Sequence, residues 1–274
     1  MNHTKTANSF EASRDMKAMI FAAGLGTRLK PLTDTLPKAL VPVLDKPLLG
    51  HVIEKVQKAG INQIVVNIHY FADKVEEWIN SQDWEGKSTI AISDERKQLL
   101  ETGGAIHFAR ELLKGCNRFL IHNVDIISNC DIEWMNSQVK EDAVASLLVC
   151  NCPTTRFLLF NPQTMQLVGW MNSESGDFLV TSPEITPSEC KALSFAGIHI
   201  ASERIFDLMD QYINERGLAI DPEKGTRFPI MSFYIWAAQK HPIYGIEDPK
   251  LNFIDVGKLD AIKPAEDFIR NSTT

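Results

Sequence analysis

The sequence is short of basic residues and of long apolar runs, and each shortage excludes a class of function. Lys and Arg number 28 against 35 Asp and Glu, a formal net charge of −7, whereas binding to a nucleic-acid backbone requires a concentrated basic surface. The most apolar windows, such as AVASLLVC at 143–150, fall far below the roughly 20 residues of a membrane-spanning helix. We therefore expect neither a nucleic-acid partner nor a membrane partner.

Cysteine is also scarce. The five cysteines, at positions 116, 130, 150, 152 and 190, are odd in number and form no C-x-x-C pair, so we expect neither zinc ligation nor a disulfide framework. A reducing cytoplasm is then the default location. The first 15 residues, MNHTKTANSFEASRD, lack the apolar core of a signal peptide. We expect residues 1–16 to form a flexible leader and the fold to begin at Lys17.

Several common motifs are missing. A dinucleotide fingerprint G-x-G-x-x-G is broken at Leu29, and no G-x-x-x-x-G-K-[ST] or H-E-x-x-H occurs. The seven histidines are scattered, and three of them lie in apolar strand patterns, where a hydrogen-bonded structural histidine is the commoner case: His69, His122 and His199. These absences disfavour a nicotinamide dehydrogenase and a histidine metal site.

Strand and helix patterns alternate through the first half of the chain. Buried-strand patterns occur at AMIFAAG (18–24), INQIVVNIHY (61–70), TIAISDE (89–95) and RFLIHNVDII (118–127). Between them, helical spacing occurs at PLLGHVIEKVQKAG (47–60), FADKVEEWINSQ (71–82) and GGAIHFARELL (103–113). This order predicts an α/β fold with a doubly wound, Rossmann-like and mostly parallel sheet.

The pattern changes after about residue 140. Short apolar stretches at 143–152, 156–162, 166–171, 177–182 and 194–202 predict antiparallel strands and hairpins, while 228–239 mixes strand and helix signals. No Gly/Ser-rich linker divides the chain. We expect a single domain over 17–274, in which residues 17–140 form the parallel half and residues 141–274 an elaborated half.

The loop after the first strand carries phosphate-binding chemistry. Gly24 and Gly26 follow that strand directly, at the edge where parallel sheets bind ligands. Glycine lets the backbone N–H groups approach a phosphate, and Arg28 can add a charged fork. Lys38 returns to the same loop between Pro37 and Pro42. A plain strand-to-helix turn with incidental charge is the alternative for the loop alone.

Five motifs in order resemble the sugar-1-phosphate nucleotidyltransferases. They are GLGTRLKPLT with PKALVPV and KPL, then ETGGAI (101–106), HNVDI (122–126), FAGIHI (195–200) and FIDVGKLDAI (253–262). Within this family, LETGGAI is most similar to the N-acetylmuramate-1-phosphate uridylyltransferases, with mannose- or heptose-1-phosphate guanylyltransferases as near neighbours. The resemblance implies the nucleotide-diphospho-sugar transferase fold, which is GT-A-like. It makes 17–140 the nucleotide-binding half and 141–274, with its small antiparallel elaboration, the sugar-binding half.

The resemblance also implies a reaction and its residues. The sugar phosphate attacks the α-phosphate of a nucleoside triphosphate in line and expels pyrophosphate, with Mg²⁺ as cofactor. The substrates are an NTP and a sugar 1-phosphate, with UTP and N-acetylmuramate 1-phosphate favoured over GTP and a mannose or heptose 1-phosphate. A homodimer is left open.

Each motif then supplies residues to the expected site. Asp125 and Asp255 are the implied metal ligands, while Arg28 is assigned to the β- and γ-phosphates and Lys38 to the α-phosphate. The nucleotide is expected to contact Ala22, Ala23, Gly24, Gly26, Thr27, Arg28, Glu101, Thr102 and Gly103. The sugar side is assigned to Asn123 and Gly197, although a strand bulge would equally explain Gly197.

Two alternatives and one departure from the family pattern accompany this assignment. A non-catalytic nucleotide-sugar-binding regulatory protein on the same fold is the alternative of another class. The E-K-P segment, whose lysine binds the sugar phosphate in many relatives, has no clear counterpart, and neither Lys191 nor Glu184 can be aligned to it. Trp170 is expected to be a packing residue, with a place in the sugar pocket as its alternative.

Overall fold

The computed structural model describes residues 16–272, and the expected alternation of strands and helices is confirmed in its first half. The strands there are β1 (Lys17–Phe21), β2 (Pro42–Val43), β3 (Lys46–Pro47), β4 (Gln63–Ile68), β5 (Thr89–Asp94), β6 (Arg118–Asn123) and β7 (Ile126–Ser128). The helices are α1 (Leu48–Lys58), α2 (Ala72–Ser81), α3 (Glu101–Phe108), α4 (Arg110–Leu113) and α5 (Ile132–Ser137).

The second half is richer in strands, as expected. Its strands are β8 (Ala145–Cys150), β9 (Arg156–Phe160), β10 (Leu167–Asn172), β11 (Phe178–Val180), β12 (Lys191–Ser202), β13 (Ile243–Glu247) and β14 (Phe253–Asp255). Its helices are α6 (Ile205–Glu215), α7 (Ile230–Ala237) and α8 (Ile262–Ser272). The ambiguous segment 228–239 is therefore mainly helical, as α7.

One mixed sheet of ten strands organises the molecule. Its order is β11-β10-β9-β12-β6-β1-β4-β5, with β8 beside β12 and β13 beside β8. Strands β6, β1, β4 and β5 are parallel, whereas β12 runs antiparallel to β6, β8 and β9. The antiparallel elaboration is confirmed, except that β13 pairs with β8 in parallel.

The strand order creates a ligand-binding edge. The chain passes from β1 to β4 on one side, while β6 lies on the other side of β1. The strand order therefore reverses between β1 and β6. Open α/β sheets bind ligands at the carboxyl ends of the strands at such a switch point. Val124, just after β6, donates its N–H to the carbonyl of Phe21 at the end of β1, at 3.2 Å.

The core has two layers because successive strand residues face opposite sides of the sheet. Ala18 and Ile20 of β1 join the layer covered by α1, α2, α5 and α8, while Met19 joins the layer covered by α3, α4, α6 and α7. Met16 is already buried in the first layer, and residues 1–15 of the expected leader lie outside the described residues. None of the helices within 16–272 is both long and apolar enough to cross a bilayer.

Two expectations of the sequence are corrected. Cys150 and Cys152 are joined by a disulfide, because the turn after β8 brings their Cα atoms to 5.4 Å, within the range that a disulfide spans. His69 and His122 are hydrogen-bonded as predicted, to the carbonyls of Glu95 and Asn123. The prediction is wrong for His199, whose ring nitrogens both lack a hydrogen-bond partner within residues 16–272.

Candidate active site at the switch point of the sheet

The glycine loop after β1 is shaped by contacts within itself. Gly26 has a φ of +64° and precedes the 3₁₀ turn Thr27–Leu29, a backbone conformation that favours glycine. A Cβ at Gly26 would lie 2.9 Å from the Thr33 methyl and 3.0 Å from Cβ of Lys38. Gly24, in contrast, is exposed and has nothing within 4 Å of its Cβ position. The loop therefore carries Lys38 back to the sheet edge and leaves the backbone at Gly24 open to a ligand.

Lys38 and the two predicted metal ligands meet at this edge. Lys38 Nζ forms an ion pair with Oδ2 of Asp125, and the side chains are only 12% and 17% exposed. Strand β14 pairs antiparallel with β7, with Asp255 opposite Ile126, and Val256 N–H donates to the Asp125 carbonyl at 2.8 Å. This pairing brings together carboxylates that are 130 positions apart in the sequence.

Arg28 lies close to the same group of charged side chains. A Cβ at Gly257 would stand 2.6 Å from Nη2 of Arg28 and 2.8 Å from Oδ1 of Asp255. Gly257 is buried, so its missing side chain is what allows the guanidinium and the carboxylate to approach the turn after β14. All four predicted charged residues of the site are thus close together: Arg28, Lys38, Asp125 and Asp255.

The carboxylates fit a divalent cation. Desolvation and the neighbouring charge of Asp125 raise the pKa of Asp255, against the opposing influence of Lys38 and Arg28. A cation between the two carboxylates would remove that repulsion. No cluster of three or more His, Cys, Asp or Glu side chains placed for a metal occurs within residues 16–272. Two carboxylates with phosphate oxygens and water suit Mg²⁺, which rarely has an all-protein cage.

A buried polar chain lies under the nucleotide side of the site, and sequence reasoning missed it. Ala22 N–H donates to Oδ1 of Asn67, and Nδ2 of Asn67 donates to Oε1 of Glu95, both at 2.8 Å. Asn67 and Glu95 are 3% and 2% exposed. Burial raises the pKa of Glu95 to about 7, although the bond from Asn67 opposes the shift. Oε2 of Glu95 has no partner within residues 16–272.

These residues line a cavity of about 240 Å³, which we call the nucleotide pocket. Its walls are Phe21, Ala23, Gly24, Lys38, Asn67, Glu95, Leu99, Glu101, Thr102, Asn123, Val124 and Asp125. Of the predicted nucleotide contacts, Ala23, Gly24, Glu101 and Thr102 are present. The N–H of Ala22 is already used by Asn67.

The glycine pair at 103–104 packs closely against the segment that leads into α7. Gly103 and Gly104 both donate N–H to the carbonyl of Phe228, at 2.9 and 3.0 Å. A Cβ at Gly103 would lie 2.5 Å from the Phe228 ring, and one at Gly104 would lie 2.1 Å from the Thr226 carbonyl. Gly103 is buried and lies outside the walls of the nucleotide pocket. The base contact assigned to Gly103 therefore stays a prediction.

Glu101 opens α3 in an unusual conformation. Its φ is +61°, which is uncommon for a residue with a side chain. Its carboxylate accepts from Arg227 at 2.9 and 2.7 Å, and the neighbouring Thr102 hydroxyl accepts from Ile230 N–H at 3.1 Å. The entry of α3 is thus tied to the segment that leads into α7.

The predicted sugar-side residues are adjacent. Gly197 has a φ of +75°, and its Cβ position lies 2.8 Å from Nδ2 of Asn123. It also lies where the β12–β8 register shifts, between Phe195 and His199. The strand bulge is therefore confirmed at Gly197, and the bulge brings its backbone against Asn123. The sugar contact of these two residues stays a prediction.

A larger cavity of about 960 Å³ adjoins this side, and we call it the hairpin cavity. Its walls include Arg156, Phe157, Trp170, Asn172, Ser194, Phe195, Tyr212, Arg216, Met231 and Ser232. Trp170 is half-buried in this wall and also packs on the core. Lys191 forms an ion pair with Glu247 instead, and neither Lys191 nor Glu184 lines either cavity.

Comparison with known proteins agrees with this geometry. The profile of the Nucleotidyl transferase family matches residues 17–156. An N-acetylmuramate α-1-phosphate uridylyltransferase of Caulobacter vibrioides is 37% identical over 194 residues, covering 69% of this chain and 76% of that protein. A catalytic subunit beta of mannose-1-phosphate guanylyltransferase from Xenopus tropicalis is 39% identical over 121 residues, covering 44% of this chain and 33% of that protein.

A solved structure extends the likeness to the fold of nearly the whole chain. The UDP-glucose pyrophosphorylase of Acinetobacter baumanii superposes with a TM-score of 0.70 at 17% identity, covering 92% of each chain. The nucleotide-diphospho-sugar transferase fold is thereby confirmed. By the family profile, the uridylyltransferase relative and the fold, the chain belongs to the nucleotidyl transferase family and is one of the sugar-1-phosphate nucleotidyltransferases.

Proposed function

We propose that the protein joins UTP to N-acetylmuramate 1-phosphate, releasing pyrophosphate and forming the UDP-sugar. The observation that carries the proposal is the cluster of Lys38, Arg28, Asp125 and Asp255 at the mouth of the nucleotide pocket. In-line transfer needs no covalent intermediate, so positioning and charge neutralisation supply the catalysis.

The choice of sugar follows from how far each likeness extends. The similarity to the uridylyltransferase spans 69% of this chain, and therefore enters the sugar-binding half. The similarity to the guanylyltransferase spans 44% of this chain. The longer likeness therefore favours the substrates of the uridylyltransferase, and GTP with mannose or heptose 1-phosphate is the second candidate.

Glu95 restricts the base in this proposal. Glu95 lines the nucleotide pocket, and its Oε2 has no hydrogen-bond partner within residues 16–272. A carboxylate can only accept hydrogen bonds. On the base edge that would face the Glu95 carboxylate, uracil and guanine have a ring N–H donor. Cytosine and adenine have an acceptor nitrogen at the corresponding position. Glu95 therefore favours UTP or GTP over CTP or ATP.

Each charged residue has a role in the transfer. Lys38 meets the α-phosphate as charge develops there, and Arg28 meets the phosphates that leave as pyrophosphate. Asp125 and Asp255 would hold Mg²⁺, which would neutralise the phosphate charge. The ion pair with Asp125 positions Lys38 before substrate binds. We place the reaction in the cytoplasm, where nucleoside triphosphates are abundant.

The test is pyrophosphate release over a grid of five nucleoside triphosphates and several sugar 1-phosphates. We expect release with UTP and N-acetylmuramate 1-phosphate, loss with a chelator and recovery with Mg²⁺. Asp125→Ala should lower kcat by about a hundredfold or more, while Asp83→Ala, on the exposed loop after α2, should not. Tight UDP-sugar binding without release from any pair would instead support the regulatory alternative.

A further inference from the structure

Two elements lead from the hairpin cavity to residues of the candidate site. Strand β12 runs from Ser194 and Phe195 in the cavity wall to Gly197, whose Cβ position touches Asn123. On the other side, α7 supplies Met231 to the cavity, and its first residue, Ile230, is bonded to Thr102 of the nucleotide pocket. A sugar whose 1-phosphate reaches Asp125 can therefore extend its ring into the hairpin cavity.

Two arginines on different elements line this cavity. Arg156 is the first residue of β9, and Arg216 follows the end of α6. Neither forms any of the ion pairs found within residues 16–272, whereas Arg96, Arg110 and Arg227 are all paired with carboxylates. Asp177 is the acidic residue of the cavity wall, and it accepts from the Ser175 hydroxyl at 2.7 Å. The cavity therefore has two permanent positive charges available for an anion.

The rest of the cavity suits a substituted sugar. At about 960 Å³ it is near the upper end of ligand pockets, which run from roughly 300 to 1,000 Å³. A plain hexose would fill a small part of it. Phe157, Trp170 and Phe195 add aromatic surface, on which sugar faces and acyl methyl groups pack.

We propose that Arg156, with Arg216 in the same cavity, binds a carboxylate carried by the sugar at a position remote from its 1-phosphate. The acceptor is then an acidic, bulky sugar 1-phosphate, and Arg156 is a specificity-determining residue. The inference rests on the proposed function, since it gives the acceptor of that reaction its distinguishing group. A planar guanidinium suits a carboxylate because the two can form a bidentate pair.

The test compares two acceptors that differ by one carboxylate. N-acetylmuramate 1-phosphate carries a lactyl ether that N-acetylglucosamine 1-phosphate lacks. We expect Arg156→Gln to raise KM for the first acceptor about tenfold, while KM for the second acceptor and for UTP stays within about twofold. Arg156→Lys should recover part of the loss, because it keeps the charge without the bidentate geometry.

Arg204→Gln serves as the matched control. Arg204 lies outside the cavity and donates to the carbonyl of Asp142 at 2.7 Å, so both acceptors should keep their KM. An equal loss of both acceptors in Arg156→Gln would overturn the inference, because Arg156 would then bind the shared phosphate or hold the fold. An unchanged KM for both would overturn it as well.

Binding by calorimetry separates this inference from the proposed reaction. If the wild-type protein releases no pyrophosphate with either acceptor, the proposed function fails. Tighter binding of the carboxylated sugar phosphate that is lost in Arg156→Gln would still support the carboxylate site. Equal binding of both sugar phosphates to the wild-type protein would overturn it.

Discussion

Glu95 combines nearly complete burial with a carboxylate oxygen that has no partner within residues 16–272. Its pKa of about 7 leaves it mostly protonated at pH 6 and mostly ionised at pH 8. If the ionised form accepts the uracil N–H, the dissociation constant for a UDP-sugar should fall about tenfold between these pH values. Titration calorimetry with the UDP-sugar measures this dissociation constant. The UDP-sugar is the suitable ligand because it has no terminal phosphate whose own titration would change binding over the same pH range.

Glu95→Gln is the control for that measurement. The amide oxygen can still accept the N–H, while the side chain no longer titrates. Binding of the UDP-sugar by this variant should be flat between pH 6 and pH 8. A variant that keeps the wild-type slope would show that another group causes it.

Single residues also show what the sequence could and could not predict. Asp125 and Asp255 were predicted because each ends an apolar strand within a recognisable motif, and the structure brings them together. Glu95 also follows a strand end, after β5, so a positional signal existed. Its burial comes from Asn67 and from the chain near Leu100, and such tertiary contacts leave no local pattern.

At the scale of elements, the start of α3 is held by backbone contact with the segment before α7. The Cβ of an alanine at Gly104 would lie 2.1 Å from the Thr226 carbonyl, so this segment would have to move. We expect Gly104→Ala to destabilise the protein by roughly 1–3 kcal/mol, the usual cost of overpacking. Urea unfolding measures the loss.

The matched variant for stability is Gly24→Ala. Nothing lies within 4 Å of that Cβ position, and its backbone is outside the left-handed region. The free energy of unfolding should therefore stay within about 0.5 kcal/mol of the wild-type value. KM for UTP should rise, because Gly24 lines the nucleotide pocket. Equal destabilisation by the two alanines would contradict the contact argument.

The same region explains why some elements were harder to predict than others. The helix α1 was predicted from the spacing of Leu49, Val52, Ile53 and Val56, all of which are buried. In contrast, α7 is apolar around most of its circumference, with five of its eight residues buried, so periodicity could not separate helix from strand. Its packing against α3 and α6 settles the choice, and that packing depends on the whole fold.

For the whole molecule, three buried groups set the response of stability to acid. Burial lowers the pKa of His122 to about 4 and that of His199 to about 3, from an ordinary 6.5. Burial raises that of Glu95 from 4.5 to about 7. Between pH 4.5 and 6.5 the unfolded chain therefore binds a proton at each histidine, while the native protein binds one at Glu95.

The net difference is two protons minus one, so one more proton is bound to the unfolded chain over this window. The free energy of unfolding should then fall as the pH is lowered, by about 1.4 kcal/mol per pH unit, or about 3 kcal/mol from pH 6.5 to pH 4.5. The two histidines contribute stability that is present above pH 6.5 and lost in acid. Glu95 contributes with the opposite sign, since its stabilisation is present in acid and lost towards pH 7.

Two variants separate these contributions when urea unfolding is measured at pH 4.5 and pH 6.5. His199→Phe places a ring among those of Phe195 and Tyr234, which lie 5.5 and 5.7 Å from the histidine ring, and it removes one titrating group. The difference between the two pH values should then nearly vanish. Glu95→Gln removes the opposing group and should double the difference to about 6 kcal/mol. If His199→Phe keeps the wild-type difference, His199 does not contribute to the acid sensitivity, because the variant removes only that titrating group.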